Sequence, residues 1–205
     1  MSDILYPLIG LSRLRMETDG SGVTTLVAGA GCPLACRWCI NKNELRDIAP
    51  ENITPEELFA RTRIDDLYFQ ATGGGLCFGG GEALLHTAFI AAFRELVGGA
   101  WKLTAETSLN VPRKNVEQAL ACVDEFIVDI KTADPAIYRS YTGGDNGIVF
   151  ENLGLLLSSA GAERVKVRVP LIPEYNDEAD REKTAGMLRS MGFTRIDLFE
   201  YSKRE

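Results

Sequence analysis

Hydrophobic residues are arranged in two ways that alternate along the chain: in short continuous runs, and at the spacing of a helix. Short runs rich in β-branched and apolar residues predict six strands, at Val23–Ala28, Leu76–Phe78, Trp101–Ala105, Glu125–Asp129, Arg164–Val169 and Arg195–Phe199. Between these runs, apolar residues recur at helical spacing. That spacing predicts helices at Leu84–Leu96, Asn115–Cys122, Pro135–Tyr141, Asn152–Ala160 and Ala179–Met191.

Capping signals mark where some of these helices begin and end. Thr54 precedes a proline and stands three residues before Glu57, a sequence typical of a helix N-terminus. Gly98 and Gly192 follow apolar helical segments, where glycine commonly ends a helix. The alternation of strands and helices predicts an α/β fold with a parallel sheet. An open doubly wound sheet and a partial barrel both fit, and both place functional residues at the C-terminal ends of the strands.

Length and composition restrict the class of protein. The 205 residues contain no internal repeat and no Pro/Ser-rich linker, so we predict a single domain over residues 1–205. A net charge of −7 gives no support to a nucleic-acid partner or an anionic membrane surface. No apolar run approaches the roughly 20 residues that span a bilayer. The N-terminus also lacks the regions of a signal peptide, which predicts a cytoplasmic protein.

Three of the five cysteines, Cys32, Cys36 and Cys39, lie within eight residues. This crowding and the odd total indicate a metal site rather than a disulfide framework. The three directly follow the first predicted strand, so they share a loop at its C-terminal end. Three thiolates on one loop can hold three irons of a [4Fe–4S] cluster and leave the fourth iron open to a small molecule. The alternative is a Cys3His zinc site, for which His86 is the only available histidine.

A cysteine triplet with three and then two intervening residues resembles the signature of the radical S-adenosylmethionine (SAM) superfamily. The segment 19–39 further resembles the opening of glycyl-radical-enzyme activating enzymes of the pyruvate formate-lyase activating type. The resemblance continues through residues 72–85, 106–108, 128–131, 141–146, 151–153, 168–173 and 198–201, and so covers most of the chain. It implies a partial TIM barrel, (β/α)6, with the cluster and SAM at the C-terminal ends of the strands.

The resemblance also implies which residues bind SAM. Gly80 and Gly81 are expected at its methionine amino group, with Glu82 supporting them, because glycine lets the backbone approach a ligand closely. An ordinary glycine-rich turn is the alternative. Arg168 is expected at the SAM carboxylate, which a guanidinium suits, and a salt bridge at the barrel rim is the alternative. Further SAM contacts are expected from Trp38, Ile40, Asn41, Glu106, Thr107, Ser108, Asp129, Lys131 and Ser202.

The chain departs from the family pattern at several positions. Glu106 stands where the family carries a shorter Asp, which bears on a monovalent cation that the resemblance implies beside the SAM carboxylate. Ile40 follows the third cysteine and Ser202 follows Tyr201, at positions where the family often has histidine. Only residues 43–56 separate the cysteine loop from the first long helix, so we predict no ferredoxin-type insert.

A reaction and a set of partners follow from the same resemblance. A reduced cluster would cleave SAM to methionine and a 5′-deoxyadenosyl radical, which abstracts hydrogen from a glycine of a partner glycyl radical enzyme. Such an oxidoreductase would take its electron from flavodoxin or ferredoxin, and we expect it to be a monomer. Two alternatives stay open. One is a radical SAM enzyme acting on a peptide or small molecule, and the other is a non-catalytic iron–sulfur or zinc module.

Overall fold

The computed structural model describes residues 4–16 and 18–201, and an eight-stranded sheet organises them. The strands are β1 (Tyr6–Met16), β2 (Val23–Gly29), β3 (Glu51–Ile53), β4 (Gly75–Gly80), β5 (Lys102–Thr107), β6 (Glu125–Asp129), β7 (Val165–Leu171) and β8 (Ile196–Glu200). Their order in the sheet is β3-β1-β2-β4-β5-β6-β7-β8. β1 pairs antiparallel with β2 and β3, and the other neighbours are parallel.

The six predicted strands overlap the six parallel strands β2 and β4–β8, which confirms the α/β prediction. Their spatial order follows their chain order and never reverses. A doubly wound sheet needs such a reversal, because that is where the connecting helices change face. Right-handed crossovers that all run in one direction place the helices on one face. The sheet is not closed, and the architecture is the partial barrel that the resemblance implied.

Two strands, β1 and β3, were not expected from the sequence pattern. β1 contains Pro7 and Gly10, and its register with β2 shifts between Leu8 and Gly10 and again between Ser12 and Arg15. Each shift moves the following side chains relative to the sheet faces and so breaks the alternation that identifies a strand. β3 has only three residues, too few for a period to be visible.

In the described part of the chain, eight helices accompany the strands: α1 (Lys42–Asp47), α2 (Pro55–Thr62), α3 (Asp66–Thr72), α4 (Thr87–Val97), α5 (Arg113–Cys122), α6 (Pro135–Thr142), α7 (Gly147–Ala160) and α8 (Glu178–Met191). The five predicted helical segments overlap α4–α8. Thr54 caps α2 as predicted, since its hydroxyl accepts from Glu57 N at 3.2 Å and Glu57 Oε2 accepts from Thr54 N at 2.8 Å. Within the described residues, no helix is long and apolar enough to cross a membrane.

The two faces of the sheet carry different side chains. Large apolar residues such as Phe78, Phe93 and Trp101 are buried in the cluster between sheet and helices. Burying a side chain of this kind contributes about 1.5–3 kcal/mol. Alternate positions face the interior of the barrel and are small or polar. A side chain at Gly79, for example, would lie 2.8 Å from Glu106 Oε2. The interior therefore keeps room for a cavity.

Candidate active site

A cavity of about 540 Å³ lies at the C-terminal ends of the parallel strands. The structure brings all the sequence-predicted site residues together on its wall, except Ser202, which lies outside the described residues. These residues are Cys32, Cys36, Trp38, Cys39, Ile40, Asn41, Gly80, Gly81, Glu82, Glu106, Thr107, Ser108, Asp129, Lys131 and Arg168. They come from the C-terminal ends of four strands, β4–β7, and from the loop after β2, as expected for a barrel of parallel strands.

The cysteine loop is held in place by backbone contacts on two sides. Ala35 N donates to Thr142 O at 2.9 Å and Arg37 N donates to Tyr141 O at 3.0 Å, which fixes the loop to the end of α6. On the other side, Asn41 Nδ2 donates to Gly80 O at 2.7 Å. The protein's own hydrogen bonds therefore fix the position of the loop.

The three thiols fit a cluster better than a single metal ion. They line one cavity, yet no three His, Cys, Asp or Glu side chains in the described ranges lie close enough to hold one ion. A [4Fe–4S] cluster takes each thiolate on a different iron, so the thiolates need not converge on one point. Burial raises the pKa of the Cys36 thiol to about 11. Iron binding would have to offset that cost, because the thiolate is the ligand.

The zinc alternative lacks its fourth ligand at this site. His86 does not line the cavity, and its Nε2 lies 3.0 Å from Ala30 O. Its ring packs edge-on against Tyr6, with the ring centroids 5.0 Å apart. The thiols of the loop therefore have no histidine partner there, and a [4Fe–4S] cluster is the metal group that this set of donors fits.

The glycine-rich loop after β4 lies directly against the start of the cysteine loop. Gly81 N donates to Gly29 O at 2.9 Å and Glu82 N donates to Gly31 O at 2.8 Å. A Cβ atom on Gly81 would lie only 2.1 Å from Gly31 O, and Gly80 adopts a φ of +86°. Position 81 therefore requires glycine for the contact between the two loops, and position 80 requires it for its left-handed backbone conformation. The same lack of side chains leaves the backbone open to the cavity.

The buried carboxylate of Glu82 links the ends of β4 and β5 by hydrogen bonds. Its Oε1 accepts from Leu84 N at 3.1 Å and from Thr107 Oγ1 at 2.6 Å. Its Oε2 accepts from Ser108 N at 2.9 Å and from Ser108 Oγ at 2.7 Å. The carboxylate thus fixes the backbone of the β5 exit loop, a structural role consistent with supporting a ligand from behind.

Charged residues on β5, β6 and β7 and just after β6 form an alternating row across the cavity, which ends at Tyr201 after β8. Arg168 donates from Nη1 to Glu106 Oε1 at 3.2 Å and from Nε to Asp129 Oδ1 at 2.7 Å. Lys131 Nζ donates to Asp129 Oδ2 at 3.0 Å and to the Tyr201 hydroxyl at 2.7 Å. The salt bridge that was the alternative for Arg168 is therefore present, and Asp129 joins it to Lys131 in one network.

Within this network, the pKa values of Glu106 and Asp129 are shifted in opposite directions. Burial raises the pKa of Glu106 to about 7, because the Arg168 charge only partly offsets the loss of solvent. Burial also opposes ionisation of Asp129, but Lys131 and Arg168 outweigh it and hold the pKa of Asp129 at about 2. Asp129 is therefore ionised at neutral pH, whereas Glu106 titrates near neutrality.

Several cavity residues were missed by the sequence analysis: Thr18, Leu34, Tyr141, Lys166, Asp197, Phe199, Glu200 and Tyr201. Some carried a signal. Lys166 stands two residues before Arg168 on β7, and Asp197 pairs with Arg168 in the β7–β8 register, so their side chains share the interior face. Tyr201 was noted only as the neighbour of Ser202, although it is the residue that reaches Lys131.

Comparison with known proteins assigns the class. Residues 26–188 match the family model described as the radical SAM superfamily. The (2S)-3-sulfopropanediol dehydratase activating enzyme of Klebsiella oxytoca is 34% identical, over 83% of this chain and 73% of its own length. The pyruvate formate-lyase-activating enzyme of Clostridium pasteurianum is 28% identical, over 89% and 77%.

A solved structure agrees with these relatives. A domain of pyruvate-formate lyase-activating enzyme from Bacteroides vulgatus superposes with a TM-score of 0.55 and 25% identity, covering 64% of this chain and 83% of that one. The chain therefore belongs to the radical SAM superfamily and, within it, to the family of glycyl-radical-enzyme activating enzymes. Membership implies a [4Fe–4S] cluster and SAM as cofactors, and the cavity offers residues for both.

Proposed function

We propose that the protein cleaves SAM reductively with a [4Fe–4S] cluster, and that the resulting 5′-deoxyadenosyl radical abstracts hydrogen from a glycine of a partner glycyl radical enzyme. The observation that carries this proposal is the cavity, which joins the three thiols to the Gly80 loop and the charged row. The 34% identity to an activating enzyme supports the partner class.

The roles of the residues follow from their chemistry. Cys32, Cys36 and Cys39 would hold three irons, which leaves one open. The backbone at Gly80 and Gly81 would accept hydrogen bonds from the SAM amino group. Arg168 would bind the carboxylate, and because it already contacts Glu106 and Asp129, one of these contacts would have to lengthen. The cluster and SAM supply the radical chemistry, and the protein supplies position and exclusion of water.

The remaining wall would enclose the rest of SAM. Trp38 and Ile40 offer apolar surface for the adenine, while Thr107 and Ser108 lie near the expected ribose and methionine moiety. Lys131 adds a buried cation, which Asp129 and Tyr201 hold in position. Ser202 is carried in this proposal from the sequence alone. Excluding water protects a reactive radical from side reactions.

A monovalent cation beside the SAM carboxylate stays a prediction. Its oxygen ligands would come from Glu106, Thr107 and Asp129, and two of these already have Arg168 as a cationic partner. A cation would therefore share its carboxylates with the guanidinium. Measuring 5′-deoxyadenosine formation in potassium, sodium and choline chloride tests the prediction, and equal rates in all three salts would contradict it.

Further features of the proposal concern organisation and partners. We expect one radical SAM domain without a ferredoxin-type insert, a monomer in solution, flavodoxin or ferredoxin as electron donor, and no nucleic-acid partner. A radical SAM enzyme acting on a peptide or small molecule is the second candidate, because the cavity wall beyond the SAM residues carries Lys166, Asp197 and Glu200. These charges would suit a polar substrate of either kind.

The experiment is anaerobic reconstitution with iron and sulfide, reduction with dithionite, and assay of 5′-deoxyadenosine after SAM is added. We expect cluster absorbance and cleavage in the wild type, and loss of both in Cys36→Ala. Cys122→Ala is the matched control, because that cysteine is buried in α5 away from the cavity and should leave both intact. Cleavage that persists in Cys36→Ala would overturn the cluster assignment.

The partner is tested separately. A purified candidate glycyl radical enzyme is incubated with the reduced protein and SAM, and the electron paramagnetic resonance spectrum is recorded. A glycyl radical signal that requires SAM and Cys36 supports activation. SAM cleavage without such a signal, together with modification of a peptide or metabolite, would favour the second candidate.

A further inference from the structure

We infer that Lys166 and Asp197, which we call the edge pair, bind the main chain of the glycine whose hydrogen is abstracted. Asp197 accepts from the glycine N–H, and Lys166 donates to the glycine C=O. The inference rests on the proposed function and deepens it, because it assigns residues of this chain to the substrate rather than to SAM.

The edge pair lies on the last two strands of the sheet. Both side chains line the cavity, and Asp197 stands on β8, beyond which the described part of the chain adds no further strand. The Lys166 side chain is 28% exposed and the Asp197 side chain is 43% exposed. Both therefore contact the cavity and the solvent at once, so a segment of another protein can reach them from the open side of the barrel.

The edge pair also has few partners within the protein. Lys166 Nζ lies 3.4 Å from Asp197 Oδ2, farther than the roughly 2.7–2.9 Å of a good charge-assisted hydrogen bond. Neither side chain makes a hydrogen bond or a further ion pair with the described residues. Arg168 and Asp129, in contrast, each bind two charged partners. The edge pair therefore keeps donors and acceptors available for a ligand.

Strand register separates part of the edge pair from the expected SAM contacts. Arg168 pairs with Asp129 on one side and with Asp197 on the other, so these three residues share one level of the sheet. Lys166 stands two residues earlier on β7, which places it about 6–7 Å nearer to the start of the strand. The edge pair thus extends the wall of the cavity below the charged row and towards the open edge.

A carboxylate beside an ammonium group matches the main chain of one extended residue. In an antiparallel sheet, a residue binds the residue opposite through its own N–H and C=O groups, which point to the same side. Asp197 offers acceptors only and Lys166 offers donors only, so the edge pair can bind both groups of a single residue.

Such binding would prepare a glycine for hydrogen abstraction. Hydrogen bonds on both sides of the Cα atom fix the directions of its two hydrogens, and fixed orientation is a large part of catalysis. Glycine suits the site because no side chain keeps its main chain away from the wall.

The test replaces each member of the edge pair by an uncharged side chain of similar size, in Lys166→Met and Asp197→Leu. Asp197→Asn is the conservative variant, because its amide oxygen can still accept from an N–H group. Arg189→Met is the matched control. It breaks the ion pair of Arg189 with Glu182, which spans 3.3 Å on α8, a helix whose residues do not line the cavity.

Two rates are measured for each reconstituted protein: glycyl radical formation at several concentrations of the candidate partner enzyme, and SAM cleavage without the partner. We expect the ratio of the first rate to the second, below saturation, to fall at least about tenfold in Lys166→Met and Asp197→Leu. The fall should appear mainly as a higher KM for the partner. It should be smaller in Asp197→Asn and absent in Arg189→Met.

A second measurement requires no turnover. The reconstituted protein with SAM is titrated in a calorimeter with a synthetic peptide of the partner's glycine loop, and with the same peptide N-methylated at the glycine. N-methylation removes the N–H group that Asp197 accepts from. It should therefore weaken binding to the wild type at least about tenfold, and binding to Asp197→Leu much less.

Unchanged ratios in Lys166→Met and Asp197→Leu, or equal losses of both rates, would overturn the inference. So would a wild type that does not bind the peptide, or an equal effect of N-methylation on the wild type and on Asp197→Leu. A wild type that forms no glycyl radical would instead refute the proposed function, and the Kd of the peptide would still report on the edge pair.

Discussion

The Glu82 carboxylate accepts four hydrogen bonds inside the wall of the cavity, two of them from backbone N–H groups. A Glu82→Gln change replaces one acceptor oxygen with an amide that can only donate, so at least one buried N–H would face another donor. We expect the free energy of unfolding to fall by about 1–3 kcal/mol, the cost of an unsatisfied buried polar group. Urea unfolding of the unreconstituted protein measures it.

The matched control is Glu95→Gln on α4, because Glu95 is exposed. Its free energy of unfolding should stay within about 0.5 kcal/mol of the wild type, as is usual for surface changes. If Glu82→Gln were as stable as the control, the four hydrogen bonds would not brace the β5 exit loop.

Glu106 predicts a dependence of stability on pH. Burial raises its pKa from 4.5 to about 7 in the folded state, so the protonated form is favoured by folding. The stability that this group contributes is complete below about pH 4.5 and is lost as the pH rises through about 7. A Glu106→Gln variant cannot titrate there. We therefore expect its free energy of unfolding, relative to the wild type, to increase over this range and then stay level.

The measurement is urea unfolding of both proteins between about pH 5 and pH 8. Glu95→Gln again serves as the control for the loss of one negative charge. A difference between Glu106→Gln and the wild type that stays constant over the range would show that Arg168 keeps Glu106 ionised throughout.

Positions of the site residues were predictable from sequence, but their pairing was not. Gly80, Glu106, Asp129 and Arg168 each stand at or near the end of a predicted strand, and parallel strands bring such positions to one edge. Which atoms then meet depends on side-chain length and register. Arg168 divides its guanidinium between two carboxylates, and that arrangement required the structure.

Among the strands and loops, too, some features could be predicted from the sequence and others could not. The six parallel strands pair without register shifts, and all except β8 contain buried residues, so their composition identified them. β1, in contrast, was hidden by the two register shifts that break its alternation. The glycines of the loop after β4 were attributed to ligand approach. The close contact of Gly81 with Gly31 is a long-range packing effect that no local pattern could reveal.

This contact predicts the effect of Gly81→Ala. A Cβ atom 2.1 Å from Gly31 O would force the β4 exit loop and the cysteine loop apart. We expect a loss of about 1–3 kcal/mol in the free energy of unfolding, as for other overpacked sites, and reduced iron content after reconstitution. Gly99→Ala is the control, because it is exposed with nothing within 4 Å of the added methyl group. Equal iron content in both variants would contradict the proposed coupling of the two loops.

At the scale of the whole molecule, residues 18–22 close the barrel at the end where the parallel strands begin, and Thr18 reaches the cavity from there. Gly20 in this turn has a φ of +113°, and a Cβ there would lie 2.6 Å from Thr104 Oγ1 inside the barrel. Buried Glu125 on β6 accepts from Ser21 N at 3.1 Å and from Ser21 Oγ at 2.9 Å, while Arg195 Nη2 donates to it at 2.5 Å. One carboxylate thus joins the turn, the middle of the sheet and the segment before β8.

The contacts of Glu125 with Ser21 and Arg195 predict how its removal changes the stability of the whole protein. Glu125→Ala should lower the free energy of unfolding by about 1–3 kcal/mol at neutral pH, because it leaves Ser21 without its acceptor. A double-mutant cycle with Arg195→Ala should give a coupling energy of about 0.5–3 kcal/mol, near the lower value because Arg195 is 40% exposed. Arg189→Ala, on the outer surface of α8, is the control partner and should show no coupling to Glu125.

The coupling should also depend on pH in a defined direction. Burial alone would raise the pKa of Glu125, but the hydrogen bonds from Arg195 and Ser21 outweigh it and lower the pKa below its usual 4.5. The stability that the ionised group contributes is therefore present above about pH 4.5 and is lost as the pH falls further. A coupling energy near zero at neutral pH, or one that grows on acidification, would mean that β8 is held by its pairing with β7 and not through the closed end of the barrel.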